Sequence, residues 1–228
     1  PSWAERQLAA TGDYSVGAII SAYREGNKKR AYQGIGHIVH LISDMTVPAH
    51  VRLDAHPDGD PYEGWLKDNI KISEGAKMIY IKNFYETFRE LASFTKNNFY
   101  SEDTIYGEIE LDYKKFENDI NGIPRTYGYR KDHKLVQIKE RVVGDDYALD
   151  PLTHKEYWNI LGPKAVSYSA GVIDYFLREF KKIDEEKEEK NLLSRSASYI
   201  GGKLASIPDA FSYLWGDVFV AVRDLALG

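Results

Sequence analysis

Four of the chain's six histidines, His37, His40, His50 and His56, crowd into residues 37–56, on a stretch patterned as a helix and a stop. Ala31, Ile35, Val39 and Ile42 recur at helical spacing, which predicts a helix from about Lys28 to Met45 that Pro48 closes. On it His37, His40 and Asp44 stand at i, i+3 and i+7, so all three project from one face. His50 follows just past the proline, His56 sits in the next loop, and Glu63 opens the following helix. Imidazoles and carboxylates from a helix, a loop and a helix start can converge on one pocket. The chain has no cysteine, and nitrogen and oxygen donors without thiolate suit zinc in a hydrolytic role ahead of manganese or iron. Two or three zinc ions bridged by a carboxylate would suit so many donors.

Structural readings compete with each of these. A histidine pair on a helix is in general more often a surface or core feature than a ligand set. Asp60-Pro61-Tyr62-Glu63 reads as a helix start, with Asp60 at the N-cap and Glu63 completing a capping box. Asp44 is harder to explain away. A carboxylate near a helix C-terminus opposes the macrodipole and calls for a cation beside it.

At 228 residues, 43% hydrophobic and 29% charged, the chain can bury a core without disulfides. Thirty Lys+Arg against 35 Asp+Glu give a net charge of −5, no broad positive field for a nucleic-acid backbone. The opening PSWAERQLAA lacks the apolar centre of a signal peptide, and no apolar run approaches the roughly 18 residues of a membrane span.

The expected fold class is all-α. Further helices are predicted over residues 14–26, 60–72 and 76–98, the last carrying Met78, Ile81, Phe84, Phe88 and Leu91 on one side. Residues 104–143 read as a small β-hairpin or irregular excursion. Helices resume at about 153, pause at Gly162-Pro163 and continue to a charged run, KKIDEEKEEK. A helical domain over 1–186 is expected, then over 187–228 a helical appendage or a linker to a further region, with a broadly apolar last helix at 211–225. Gly34-x-Gly36 lies inside a helix and suits close packing. His133 is expected to be a solvated turn residue and His154 a structural one near a helix start.

The string GHIVHLISDMTVPAH resembles the signature of the zinc-dependent phospholipase C and single-strand-specific nuclease superfamily, with His40, Asp44 and Pro48-Ala49-His50 in its register. PKAVSYSAGVIDYFLREF is similar to that family's last core helix, and the resemblance covers roughly residues 20–70 and 155–180. It implies a multihelical zinc hydrolase in which up to three zinc ions line a cleft and zinc-bound hydroxide attacks phosphorus. His40 and Asp44 would hold the first zinc of a close pair, and His50, His56 and Glu63 another. Asp60 is the alternative to Glu63, and His37, outside the usual pattern, an extra ligand or a supporting partner. The family's N-terminal zinc donors have no counterpart before His37, which leaves one complete site, half of another and no assigned general base. The resemblance also implies a phospholipid or nucleic-acid substrate, peripheral membrane contact, and secretion or a periplasmic location. A single-strand nuclease and a non-catalytic, metal-stabilised helical module of a larger secreted protein are the alternatives to a phospholipase C-like enzyme.

Overall fold

The computed structural model describes residues 14–55, 59–70, 76–105, 109–140 and 145–199. Six helices are described: α1 (Val16–Arg24), α2 (Lys28–Asp44), α3 (Pro48–Arg52), α4 (Pro61–Asn69), α5 (Phe84–Asn98) and α6 (Pro151–Tyr199). Between α5 and α6 lie β1 (Tyr113–Asn118), β2 (Pro124–Arg130), β3 (His133–Glu140) and β4 (Asp145–Ala148), a four-stranded antiparallel meander in the order β1-β2-β3-β4. The all-α expectation is therefore corrected to a mixed architecture. What reads as an excursion is a sheet whose inner half is core, with Tyr127, Leu135, Val136 and Ile138 buried.

The described residues fall into two compact units, 37–175 and 14–36 with 176–199, and both α2 and α6 run from one into the other. In the second, Ser15 caps α1 by accepting the Ala18 N–H at 3.2 Å. Tyr23 stacks on Phe180 at 3.7 Å and donates to Asp184 at 2.8 Å. Ile19 lies where a β-carbon on Gly34 would stand, 2.4 Å away, so that glycine serves close packing.

The 37–175 unit is built around Phe99, Leu135, Tyr157 and Leu161, all fully buried. Phe99 meets Tyr157 edge-on at 4.8 Å, and the Tyr157 hydroxyl donates to the Leu135 carbonyl at 2.8 Å. Those two contacts tie α5, β3 and α6 together. The last carbonyls of α5 draw in cations: Arg52 donates to the Phe99 and Lys96 carbonyls at 2.6 and 2.8 Å, and Arg130 to that of Asn97 at 3.0 Å. Cations suit the negative end of a helix.

Three helix boundaries differ from expectation. Residues 76–83 lie outside any helix, because Asn83 caps α5 by accepting the Glu86 N–H at 3.2 Å. That segment packs on α6, where the Ile79 N–H donates to the Ser167 carbonyl at 3.3 Å. Gly171 permits that approach, since a β-carbon there would stand 2.6 Å from the Ile79 carbonyl oxygen. Pro48, expected only to close α2, opens α3 at its first turn. Pro163 sits inside α6 without ending it. The lost hydrogen bond costs about 3 kcal/mol in a helix interior, offset here by packing on both sides of the proline, at Leu161 and Val172. KKIDEEKEEK continues α6, and the expected 211–225 helix lies outside the described residues.

Candidate metal centre

The centre is assembled at the C-terminus of α2. Beyond Asp44 the chain tightens, with the Met45, Thr46 and Val47 N–H groups donating to the Ile42, Ser43 and Asp44 carbonyls. Val47 is extended and Pro48 starts α3, which returns His50 over the end of α2. Asp44 is buried, its side chain 6% exposed, and its Oδ2 lies 3.6 Å from His50 Nδ1 and 3.8 Å from His40 Nε2. His50 is the cation-capable group that a carboxylate at this helix end calls for.

The other edge of the His50 ring faces Glu63, with Nε2 and Oε2 3.6 Å apart. Asp60 stands differently. Its buried carboxylate accepts the Glu63 N–H at 2.8 Å and caps α4, as the sequence pattern predicts. Of the two alternatives, Glu63 is the one facing His50. His37 is half-buried one turn before His40 on α2, and His56 lies outside the described residues. Burial pulls the His50 imidazole down, but the Asp44 and Glu63 side chains outweigh it and carry the group up to about 10.

The separations bear on what the cluster can hold. At 3.6 to 3.8 Å they exceed hydrogen-bond length. Two donors each about 2.1 Å from a tetrahedral zinc stand roughly 3.4 Å apart. Asp44 Oδ2 is buried and accepts no hydrogen bond among the described residues. Asp44 and Glu63 face opposite nitrogens of the His50 ring, Nδ1 and Nε2, so the imidazole itself bridges the two carboxylates. Among the described residues no three His, Asp or Glu side chains close around a single point. His40, with its side chain 72% exposed, is the open side of the cluster.

His133 and His154 lie elsewhere. His133 begins β3, half-buried, its ring stacked over Phe99 at 5.9 Å, so it is a packing residue and not a solvated turn. His154 is buried near the start of α6 between Tyr62 and Trp65, with ring centroids at 5.8 and 6.3 Å. It is a structural residue near a helix start, as expected, and its ring partners come from α4, far away in the chain. Burial lowers its pKa to about 4, against the opposing pull of Asp150. The unfolded chain then takes up a proton below about 6.5 that the folded chain refuses until about 4, so stability falls as pH drops through that window. His154→Leu is expected to remove about 2 kcal/mol of the stability difference between roughly pH 7 and pH 5. Urea denaturation of both proteins at each pH checks this, and equal pH slopes would exclude it.

Compared with known proteins, the chain matches no family model, no curated protein and no solved structure.

Proposed function

We propose that the chain is a zinc-dependent phosphoesterase whose centre draws on His40, Asp44, His50 and Glu63, with His56 as a further donor. The observation that supports this is the buried Asp44 carboxylate flanked by two imidazoles at 3.6 and 3.8 Å. That is the spacing of donors about a shared ion. Zinc there would supply Lewis acidity toward a phosphoryl oxygen.

The chain's own residues do the placing. Asp44 holds its carboxylate where α2 ends, and α3 brings His50 to it. Glu63 braces the far edge of the His50 ring. Asp60, by capping α4, fixes the turn that carries Glu63. His40 and Glu63 are the more exposed members, which leaves the cluster approachable by a substrate phosphate. A phospholipid is favoured over single-stranded nucleic acid, because the net charge is −5 and no Lys/Arg stripe with interleaved aromatics runs along the sequence.

A second reading has its own support. His50 bridges Asp44 and Glu63, and so ties α3 to both α2 and α4. A metal at that bridge would stabilise a binding module without turnover.

Elemental analysis of the purified chain, followed by assay on phosphatidylcholine and single-stranded DNA, separates the two. The enzyme requires bound zinc and phosphatidylcholine hydrolysis that falls about a hundredfold or more in His50→Ala. Tightly bound zinc with no turnover of either substrate selects the module. Metal-free protein whose stability ignores a chelator removes both.

A further inference from the structure

Three cationic side chains gather where α5 ends, and among the described residues none of them forms an ion pair with a carboxylate. Arg52 comes from α3, Arg130 from the end of β2 and Lys131 from the turn into β3. Arg52 and Arg130 both lie against the Tyr100 ring, their guanidinium carbons 4.2 and 6.0 Å from its centroid. The Lys131 ammonium donates to the Asn98 side-chain oxygen at 3.1 Å. Asp112 meets this corner at the Lys131 backbone N–H, which it accepts at 2.7 Å.

The helix end does not balance these charges. A helix C-terminus carries roughly half a negative charge, and Arg52, Arg130 and Lys131 bring three positive ones. Burial lowers the Arg52 pKa against the opposing pull of Tyr100 and Tyr157, and the Arg130 charge lowers it further. Groups of one sign held this close are costly without an opposite charge. Donors also remain to be used. Arg52 spends Nε and Nη2 on the Phe99 and Lys96 carbonyls, and Arg130 spends Nη2 on that of Asn97. Arg130 Nε has no acceptor among the described residues. Both side chains are half-buried, and their Nη2 bonds lie at the solvent side.

We infer that Arg52, Arg130 and Lys131 form a binding site for a phosphate group. Guanidiniums present N–H groups in a fork that matches phosphate oxygens, and a phosphate dianion offsets the charge the helix end leaves over. The site is separate from the metal centre. His50 and Arg52 are two positions apart on α3, which is about 200° around a helix. His50 accordingly faces Asp44 and Glu63, while Arg52 faces the carbonyls at the end of α5. The phosphate site therefore needs neither zinc nor turnover.

Thermal unfolding of the full chain in chelator, with inorganic phosphate or with potassium chloride at matched ionic strength, is the test. Phosphate at about ten times a millimolar dissociation constant should raise the melting temperature by about 3 °C over chloride. Arg130→Gln removes one guanidinium charge and should cancel most of that rise. Lys131→Asn should reduce it too, and asparagine suits the left-handed backbone of that turn, where Lys131 has φ 50°. Phosphatidic acid–phosphatidylcholine vesicles identify the source of the group. Vesicle binding that inorganic phosphate competes away makes it a lipid headgroup, and a rise in melting temperature without vesicle binding makes it a soluble phosphate. A rise that is equal in the parent, Arg130→Gln and Lys131→Asn is a general salt effect and overturns the inference, as does the absence of any rise.

Discussion

His50→Ala is expected to destabilise the metal-free protein by about 3 kcal/mol, a large fraction of a domain's stability. The reason lies in what remains. Asp44 Oδ2 is buried, and the imidazole 3.6 Å away is the closer of its two cation-capable neighbours. His40, the other, is 3.8 Å away with its side chain 72% exposed, and water screens it. Without His50 the carboxylate is buried with little compensation, and breaking a buried pair from one side costs more than the pair contributes. The double variant Asp44→Asn/His50→Ala should therefore recover about 1 kcal/mol or more relative to His50→Ala. Chemical denaturation of the four proteins in chelator gives the cycle. A His50→Ala protein within about 0.5 kcal/mol of the parent would show that Asp44 does not depend on the imidazole.

The second large effect is in the core. Phe99 is fully buried where α5 ends, meeting Tyr157 at 4.8 Å, Phe94 at 6.0 Å and His133 at 5.9 Å. Phe99→Ala removes a ring shared by α5, β3 and α6, and its cavity has rigid walls, so the expected loss is about 4 kcal/mol. Tyr157→Phe keeps the volume and removes only the hydroxyl that donates to Leu135 and accepts the Tyr100 N–H. Its expected loss is smaller, about 1 to 2 kcal/mol. Thermal unfolding followed by near-ultraviolet dichroism ranks the two, and equal losses would mean that the ring itself contributes little.

The parts legible in the sequence were those set by neighbours along the chain. Asp60 caps α4 because Pro61 and Glu63 follow it, and α2 ends where its apolar period meets the approach to Pro48. His40, Asp44, His50 and Glu63 form a connected series in the structure because helix spacing and a short return place them. What was illegible depends on distant contacts. Met78 and Ile81 keep helical period with α5, yet Asn83 caps that helix and the segment before it bonds to Ser167 instead. β1 shows no buried alternation, since all of it but Glu117 is exposed. Pro163 reads as a break only if the packing on either side of it is ignored.

Arg52 lies two residues after His50, and its guanidinium reaches carbonyls 44 and 47 positions further along the chain. The short helix that carries His50 is thus anchored by contacts that require α5 to be complete. Such long loops close late in folding, because their entropy is lost before the contacts reward it. The anchoring of α3 by Arg52 should accordingly be among the later features to form, after the local Asp44–His50 return. Fraying of the final turn of α5, nowhere near the histidines in sequence, would release α3 and open the cluster.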